Sequence, residues 1–454
     1  MTTAFLSPSG TALGQDADSG NGFSHVETVV SDQGVQAYLA SSDFVPVVSI
    51  NFAFDGGIET DPAGKEGRAN LVTTLLDEGA GDIRSQEFQR RLADLSISMR
   101  FSAGIEEING TLYTTKEHLD EALDLLALAL TEPRFDPEPV ERMRDSVAGA
   151  IRSNTGDPGW IGRRAFLERV LGDHPFARPS RGTMESLMAL EVDDLRQFIE
   201  ERFTRDALTV AVAGDITADE LGPALDRAFG DLPASGEPAE VPDWEPPEPF
   251  STVVEWQGPQ SILMLAQAGI SRDHPDYYAA LVMNHILGGG GFGSRLTEEV
   301  RERRGLTYGI GSGFYNTDVA NLLMVNSSLA HGNVVPALDL IRQEWATMRE
   351  DGVTQSELDD AKRYITGSFP LQLTSTRDLS SMLLSMQLQN LGEDYIRERN
   401  ALIQAVTVED VNWIANSLLD PEALSVLVVG QPPEEFSADE TISAREIVDR
   451  ELGR

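Results

Sequence analysis

The chain repeats one order of segments in its two halves. Residues 192–215 predict a helix, a turn and a buried strand, and residues 408–430 repeat that order 216 positions later. Two shorter matches recur in the same order at offsets of 215 and 210, namely residues 122–125 with 337–340 and residues 71–72 with 281–282. Segments that recur in one order at nearly one offset indicate gene duplication. The chain is therefore expected to fold as two similar halves.

Strands and amphipathic helices are mixed within each half. Residues 262–266 are continuously apolar in the second half, and apolar residues alternate in the first, at Val48, Ile50, Phe52 and Phe54. Both patterns are typical of strands, and long helical patterns follow them. The buried strand of the repeat is expected to close each half. This order predicts an α+β fold, in which each half is a sheet with helices packed on one face.

A proline-rich segment separates the halves. Residues 233–250 contain six prolines, which prevent a continuous helix or a central strand. The segment is therefore interpreted as a linker. The expected organisation is a flexible tail over residues 1–24, a first domain over 25–232, this linker, and a second domain over 251–454.

Charge and composition exclude several functions. Of the 454 residues, 74 are Asp or Glu and 35 are Lys or Arg, which gives a formal net charge of −39. Because this charge repels phosphate backbones and anionic lipids, neither nucleic acid nor a membrane is an expected partner. No apolar run approaches the roughly 18 residues that a membrane span needs. The absence of cysteine excludes disulfides, thiolate metal ligands and a thiol nucleophile.

The first 22 residues contain neither the basic stretch nor the apolar stretch of a secretory signal. A cytoplasmic location is expected from the sequence as it stands. A periplasmic location is equally favoured if the natural start lies upstream.

Local catalytic motifs are absent. No two of the six histidines lie at a metal-ligand spacing, and there is no G-x-S-x-G sequence around a serine nucleophile. Each histidine is therefore expected to be a surface residue or a core residue with satisfied hydrogen bonds.

A dense run of glycines occurs in the second half, at Gly288, Gly289, Gly290, Gly291 and Gly293. Three of them satisfy G-x-G-x-x-G, but the residues before them have helical spacing, whereas a dinucleotide site requires a preceding strand. The run is interpreted either as a closely packed connector or as a loop whose backbone amides contact a ligand or peptide.

Two residues after the glycines have competing interpretations. Residues 294–304 predict a short helix capped by Gly305, and Arg301 falls in its last turn. Composition alone favours a structural role for Arg301, as a helix-end cation paired with Glu298. The strand-like alternation around Tyr308 likewise favours a core aromatic. The alternative is that Arg301 and Tyr308 together polarise a carbonyl or bind a peptide backbone.

Residues 288–310, GGGGFGSRLTEEVRERRGLTYGI, resemble the C-terminal-domain signature of the pitrilysin and insulinase family of inverted-motif zinc peptidases, which includes mitochondrial processing peptidase. The resemblance extends over residues 25–432. It includes residues 55–82, DGGIETDPAGKEGRANLVTTLLDEGAGD, and residues 172–183, GDHPFARPSRGT. It implies two homologous domains with mainly antiparallel sheets. It also implies that Arg301 and Tyr308 bind the substrate backbone and stabilise the tetrahedral intermediate.

The chain departs from this family at the metal site. Where active members carry H-x-x-E-H, this chain has Asn70, Thr73 and Thr74, and the third ligand position aligns with Gly149 or Ala150. Amides and hydroxyls are poor Zn²⁺ ligands. No cofactor is therefore expected in this chain. The pattern resembles bacterial two-chain enzymes in which one subunit supplies zinc and the other supplies the Arg/Tyr pair.

The resemblance thus implies the non-zinc subunit of a heterodimeric zinc metallopeptidase. Its expected partners are a zinc-bearing homologous subunit, which would contain the H-x-x-E-H motif, and a peptide substrate, which the glycine run would contact. The alternative is a catalytically inert scaffold or peptide-binding homologue. A third interpretation, an independent enzyme with another site, has the least support in the sequence.

Overall fold

The computed structural model describes residues 25–236, 238–239 and 241–454. The expected tail over residues 1–24 lies outside the described residues, and so do Glu237 and Glu240 of the expected linker. The described residues of 233–250 contain no helix or strand. Within the described ranges, no helix is both long and apolar enough to cross a membrane.

The first half contains a six-stranded sheet and a two-stranded hairpin. The strands are β1 Val26–Val30, β2 Gln36–Ser41, β3 Val47–Asp55, β4 Gly79–Ala80, β5 Ile83–Arg84, β6 Ser98–Ala103, β7 Glu107–Thr115 and β8 Leu208–Gly214. The sheet order is β1-β2-β8-β3-β7-β6. Among the described strands of this half only the β2–β8 pair is parallel, and central β3 places Ile50 opposite both Leu112 and Val212.

Eight α-helices belong to the described residues of the first half. They are α1 Arg68–Thr73, α2 Ser85–Asp94, α3 Leu119–Thr131, α4 Pro137–Asn154, α5 Pro158–Leu171, α6 Met184–Ala189, α7 Val192–Arg202 and α8 Ala218–Phe229. Except for α5, they bury their apolar faces against one face of the first sheet and against each other.

The second half repeats this plan. Its strands are β9 Ser251–Glu255, β10 Ser261–Ala268, β11 Thr307–Asn316, β12 Asn321–Leu329, β13 Ser425–Gly430 and β14 Glu440–Ser443, in the order β11-β12-β10-β13-β9-β14. Its α-helices are α9 Tyr277–Asn284, α10 Val334–Asp351, α11 Gln355–Ser368, α12 Thr376–Leu388, α13 Tyr395–Ala405, α14 Val408–Leu418 and α15 Ala444–Glu451. Strand β9 is parallel to both of its neighbours, and the other pairs are antiparallel.

The predicted α+β fold is confirmed, and so is the repeat. Helices α7 and α14 begin 216 positions apart, and β8 and β13 end at Gly214 and Gly430, which both have positive φ. One expectation was wrong. The strand of the repeat does not close either half, because α8 follows β8 and the β14–α15 unit follows β13.

The two halves exchange one helix each. Helix α12 of the second half lies on the free face of the first sheet, where the small side chains Ala53, Ala211 and Ala213 allow close approach. Helix α5 of the first half covers the second sheet in the same way. A Cβ at Gly162 of α5 would lie only 2.7 Å from Val429 Cγ2, so this contact requires glycine.

This exchange explains why β3 is buried on both faces, although its sequence alternates. The polar Ser49 also lies in the interior, where its Oγ accepts a hydrogen bond from Ser380 Oγ of α12 at 2.8 Å. Full burial of a large apolar side chain contributes about 1.5–3 kcal/mol. Separating the halves would expose several such side chains at once, so this burial stabilises the contact between the halves.

Candidate functional site

The glycine run follows a helix, as predicted. Helix α9 continues into a π-helical turn at His285–Gly289, a short 3₁₀ turn at Gly291–Gly293 follows, and a second π-helical turn occupies Thr297–Glu302. π-Helical turns are rare in proteins, and those that do occur are often located at functional sites. A helix, and not a strand, directly precedes the glycines. This excludes the dinucleotide interpretation, which requires a strand at that place.

The glycines fall into two groups. A Cβ at Gly288, Gly289 or Gly290 would approach Ser312 Oγ, Asn284 Nδ2 or the His285 carbonyl oxygen to between 2.4 and 2.7 Å. These three are required for packing. A Cβ at Gly291 or Gly293 would meet no atom within 4 Å, and both residues are exposed. The last two are thus the glycines of the run with open space around them, where a peptide or protein could approach.

Arg301 has a different environment from the predicted one. Its Cζ lies 4.4 Å from the centroid of the Phe292 ring, and its Nε is 3.5 Å from Glu302 Oε1. Its side chain is 30% exposed. The predicted pair with Glu298 does not form. Glu298 pairs instead with Arg303, at 2.9 Å, because the π-helical turn brings positions five residues apart onto one face.

The neighbouring Arg303 and Arg304 form ion pairs with the other nearby carboxylates. Arg303 binds Glu299 at 2.6 Å, and Arg304 binds the same carboxylate. Arg301 is therefore left with an aromatic contact and one long contact to an exposed carboxylate. Its guanidinium retains donors for a ligand.

Tyr308 is not a core aromatic, and this expectation was wrong. Its side chain is 88% exposed. The register of β11 against β12 shifts here, since Thr307 is opposite Leu329 and Gly309 is opposite Ser328. Tyr308 is the extra residue of a β-bulge, which redirects its side chain away from the core.

The segment that carries both residues is held firmly. The Leu306 amide donates to the Val300 carbonyl at 3.0 Å, and Thr307 Oγ1 donates to the Ser328 carbonyl at 2.7 Å. Leu296 and Val300 are buried, and Gly305 has the positive φ expected of a cap. The arrangement presents a cation and a phenol on a rigid frame.

Phe292 is a component of this segment that the sequence argument missed. It is 72% exposed although it is fully apolar. The available signal was its position among glycines, which have no side chains to cover it. An exposed aromatic residue beside Arg301 adds an apolar contact surface for a ligand.

The residues that stand at the positions of the H-x-x-E-H motif do not fit a metal ion. Thr73 Oγ1 donates to the Asn70 carbonyl and Thr74 Oγ1 to the Leu71 carbonyl, each at 2.8 Å, so both hydroxyls bind the backbone of their own helix. A Cβ at Gly149 would have no neighbour within 4 Å, and Ala150 offers only a methyl group. Among the described residues, no group of three or more His, Asp or Glu side chains is arranged to hold a metal ion.

Three of the six histidines, His174, His285 and His331, contact other residues of the fold. Buried His174 accepts from the Phe176 amide through Nδ1, and its Nε2 lies 2.9 Å from the Pro242 carbonyl. His331 similarly contacts Ser261 and the Gly258 carbonyl. His285 contacts the exposed Tyr364 ring at a centroid distance of 5.1 Å, and burial lowers its pKa.

Comparison with known proteins identifies the family of this chain. Residues 37–168 match the family described as insulinase (peptidase family M16), and residues 189–365 match the peptidase M16 inactive domain. An uncharacterized zinc protease of Mycobacterium leprae is 30% identical over 365 residues, which cover 76% of this chain and 82% of that protein. A non-peptidase homologue of Helicobacter pylori is 27% identical over 345 residues, covering 76% and 79%.

A solved structure shows the same architecture. The peptidase M16 inactive domain from Pseudomonas fluorescens superposes with a TM-score of 0.84 at 27% identity, covering 92% of this chain and all of that chain. The chain therefore belongs to the insulinase (M16) peptidase family, as a member that lacks the zinc ligands.

Proposed function

We propose that this chain is the non-zinc subunit of a two-chain zinc metallopeptidase and that Arg301 and Tyr308 act on a peptide bound at the metal of its partner. The observation that carries the proposal is the 88% exposure of Tyr308 on a bulge, in the same firmly held segment as a guanidinium with free donors. A core role explains neither side chain. A surface that binds a second molecule explains both.

The chemistry follows from the two side chains. Peptide hydrolysis through a metal-bound water places negative charge on the former carbonyl oxygen. A phenol hydroxyl held near that oxygen donates a hydrogen bond that strengthens as the charge develops. The guanidinium, which is always charged, holds a substrate carbonyl or carboxylate. Gly291 and Gly293 leave room for the peptide backbone or for the partner.

In this proposal, the zinc ion needed for hydrolysis is bound by another chain. The helix exchange holds the two halves of this chain together, and on the second half Tyr308 is exposed while Arg301 is partly exposed. A homologous subunit with an intact H-x-x-E-H motif would supply both the metal and the opposing wall of a chamber. Such a chamber favours unfolded peptides.

The test is a mixing experiment. The purified chain is combined with a homologue that carries H-x-x-E-H and zinc, and cleavage of an unstructured peptide is measured. Arg301→Ala and Tyr308→Phe should each lower kcat about a hundredfold to a thousandfold, the usual effect of losing one oxyanion donor. Arg303→Ala on the same turn is the matched control. Cleavage that is unchanged in both variants would reject the assigned roles.

A second candidate is a scaffold or peptide-binding homologue without a catalytic role. It is favoured by the relative in Helicobacter pylori that is described as a non-peptidase. In that case the mixture would bind the peptide, with Arg301→Ala weakening binding, but cleavage by the zinc-bearing homologue would not depend on this chain. The same assay therefore separates the two candidates.

A further inference from the structure

A cavity of about 770 Å³ is lined by residues of both halves, and neither Arg301 nor Tyr308 is among them. Helix α5 forms one wall and strands β10, β11 and β12 form the opposite wall. Residues 178–182 and the end of α4 complete the lining. Ligand sites for small molecules commonly have volumes of roughly 300–1,000 Å³. The cavity is therefore large enough for a small organic molecule.

Two glycines account for the empty space. Side chains alternate along β11, so Ile310 and Phe314 join the core under the second-half helices, whereas Tyr315 faces α5. Gly311 and Gly313 share the face of Tyr315. Because they have no side chains, the space between β11 and α5 is not filled at these positions. A Cβ at Gly313 would meet nothing within 4 Å. Neither glycine has the positive φ that would require glycine for backbone reasons.

The interior of the cavity is mainly apolar. Its walls include Ile151, Trp160, Phe166, Leu167, Met264 and Met324. Apolar lining of this kind favours a ligand with a hydrocarbon body, because its burial removes apolar surface from water.

The entrance carries positive charge. Arg163 of α5 and Arg181 of the loop both line the cavity and are exposed. Neither forms an ion pair with any residue that the structure describes, whereas the deeper Arg164 is bound by Glu168 and Glu451. In a chain with a formal net charge of −39, two unpaired guanidinium groups that line the same cavity favour an anionic ligand there. Guanidinium groups bind carboxylates with two parallel hydrogen bonds.

We propose that this cavity binds a small apolar carboxylate, with the hydrocarbon body beneath α5 and the carboxylate at Arg163 and Arg181. The proposal is independent of the peptidase role, because the cavity is formed by this chain alone. A ligand there would contact both halves and the covering helix.

Decanoate is a suitable probe, with decanol and decyltrimethylammonium as the uncharged and cationic controls. Titration calorimetry on the isolated full chain should show one site for decanoate, and both controls should bind at least about tenfold more weakly. Arg163→Gln and Arg181→Gln should each raise the Kd for decanoate about tenfold. The exposed Arg363→Gln on α11 should leave it unchanged.

Gly313→Val tests the location, since the added side chain fills the empty space. This variant should lose decanoate binding and keep the circular dichroism spectrum of the parent. If it does not fold, the two arginine variants decide. Equal binding of decanol and decanoate, unchanged affinity in both arginine variants, or decanoate binding by folded Gly313→Val would overturn the proposal. Binding of an apolar peptide with a free C-terminal carboxylate, without decanoate binding, would also overturn it.

Discussion

The guanidinium of Arg301 lies over the ring of Phe292, with Cζ 4.4 Å from the ring centroid. An exposed cation–π contact of this kind contributes about 0.5–1 kcal/mol. Phe292 therefore holds Arg301 in one orientation at the surface. The contact links the glycine run to the residue proposed to bind substrate.

Phe292→Ala should lower kcat/KM of the mixed two-chain enzyme about two- to fivefold, since Arg301 loses its orienting contact. Thermal stability should fall by no more than the roughly 0.5–1 kcal/mol of this contact, because the ring is 72% exposed. Phe292→Leu, which keeps apolar area without a π face, separates the two contributions. A loss of activity as large as that of Arg301→Ala would instead place Phe292 in direct contact with substrate.

A second prediction concerns pH. Burial raises the pKa of Glu59 to about 8, helped by the nearby negative charges of Asp55 and Glu106, and its Oε2 has no hydrogen-bond partner among the described residues. The folded protein thus binds a proton that the unfolded chain releases near pH 4.5. The free energy of unfolding should fall as the pH rises from about 5 to about 8.

Glu59→Gln removes this titration. The variant should be more stable than the parent at pH 8 by roughly 2–4 kcal/mol, and the two should converge near pH 5. Urea unfolding at several pH values measures the difference. Burial also raises the pKa of Glu106, to about 7, so the variant should keep part of the pH dependence. Parallel curves for the two proteins would contradict the prediction.

A third prediction concerns a buried ion pair between the halves. Arg164 Nε of α5 lies 2.9 Å from Glu451 Oε1 of α15, and the side chain of Glu451 is only 1% exposed. Glu451→Ala leaves the buried guanidinium with one carboxylate fewer and should cost about 3–5 kcal/mol of stability. Glu446→Ala, exposed on the same helix, should cost less than about 1 kcal/mol. Equal effects of the two substitutions in urea unfolding would show that the pair is dispensable.

Much of the fold could be predicted because its signals are local or repeated. The offset between residues 192–215 and 408–430 required two like halves, and the helical spacing before Gly288 excluded a nucleotide site. The exchange of α5 and α12 could not be predicted. Neither the apolar face of α5 nor the glycine at position 162 indicates which sheet the helix covers, because that choice depends on contacts distant in sequence.

The predictions for individual side chains of the site were wrong for a related reason. Alternation around Tyr308 predicted an inward side chain, but one extra residue in β11 changes the face of the strand on which a side chain lies. The pair between Arg301 and Glu298 assumed an α-helix, whereas the π-helical turn pairs positions five apart. Single-residue irregularities of this kind do not alter the periodicity that sequence analysis reads.

The helix exchange gives the last prediction. Leu383 of α12 is fully buried in the cluster that covers the first sheet, although it belongs to the second half. Leu383→Ala should destabilise the protein by about 2–5 kcal/mol through the cavity it leaves. Because α12 and α5 each bridge the two halves, the whole chain should still unfold in one transition. Calorimetry of the variant measures both quantities, and Leu402→Ala on the more exposed α13 is the control. Two separated transitions in the variant would mean that each half is stable without the helix it receives from the other.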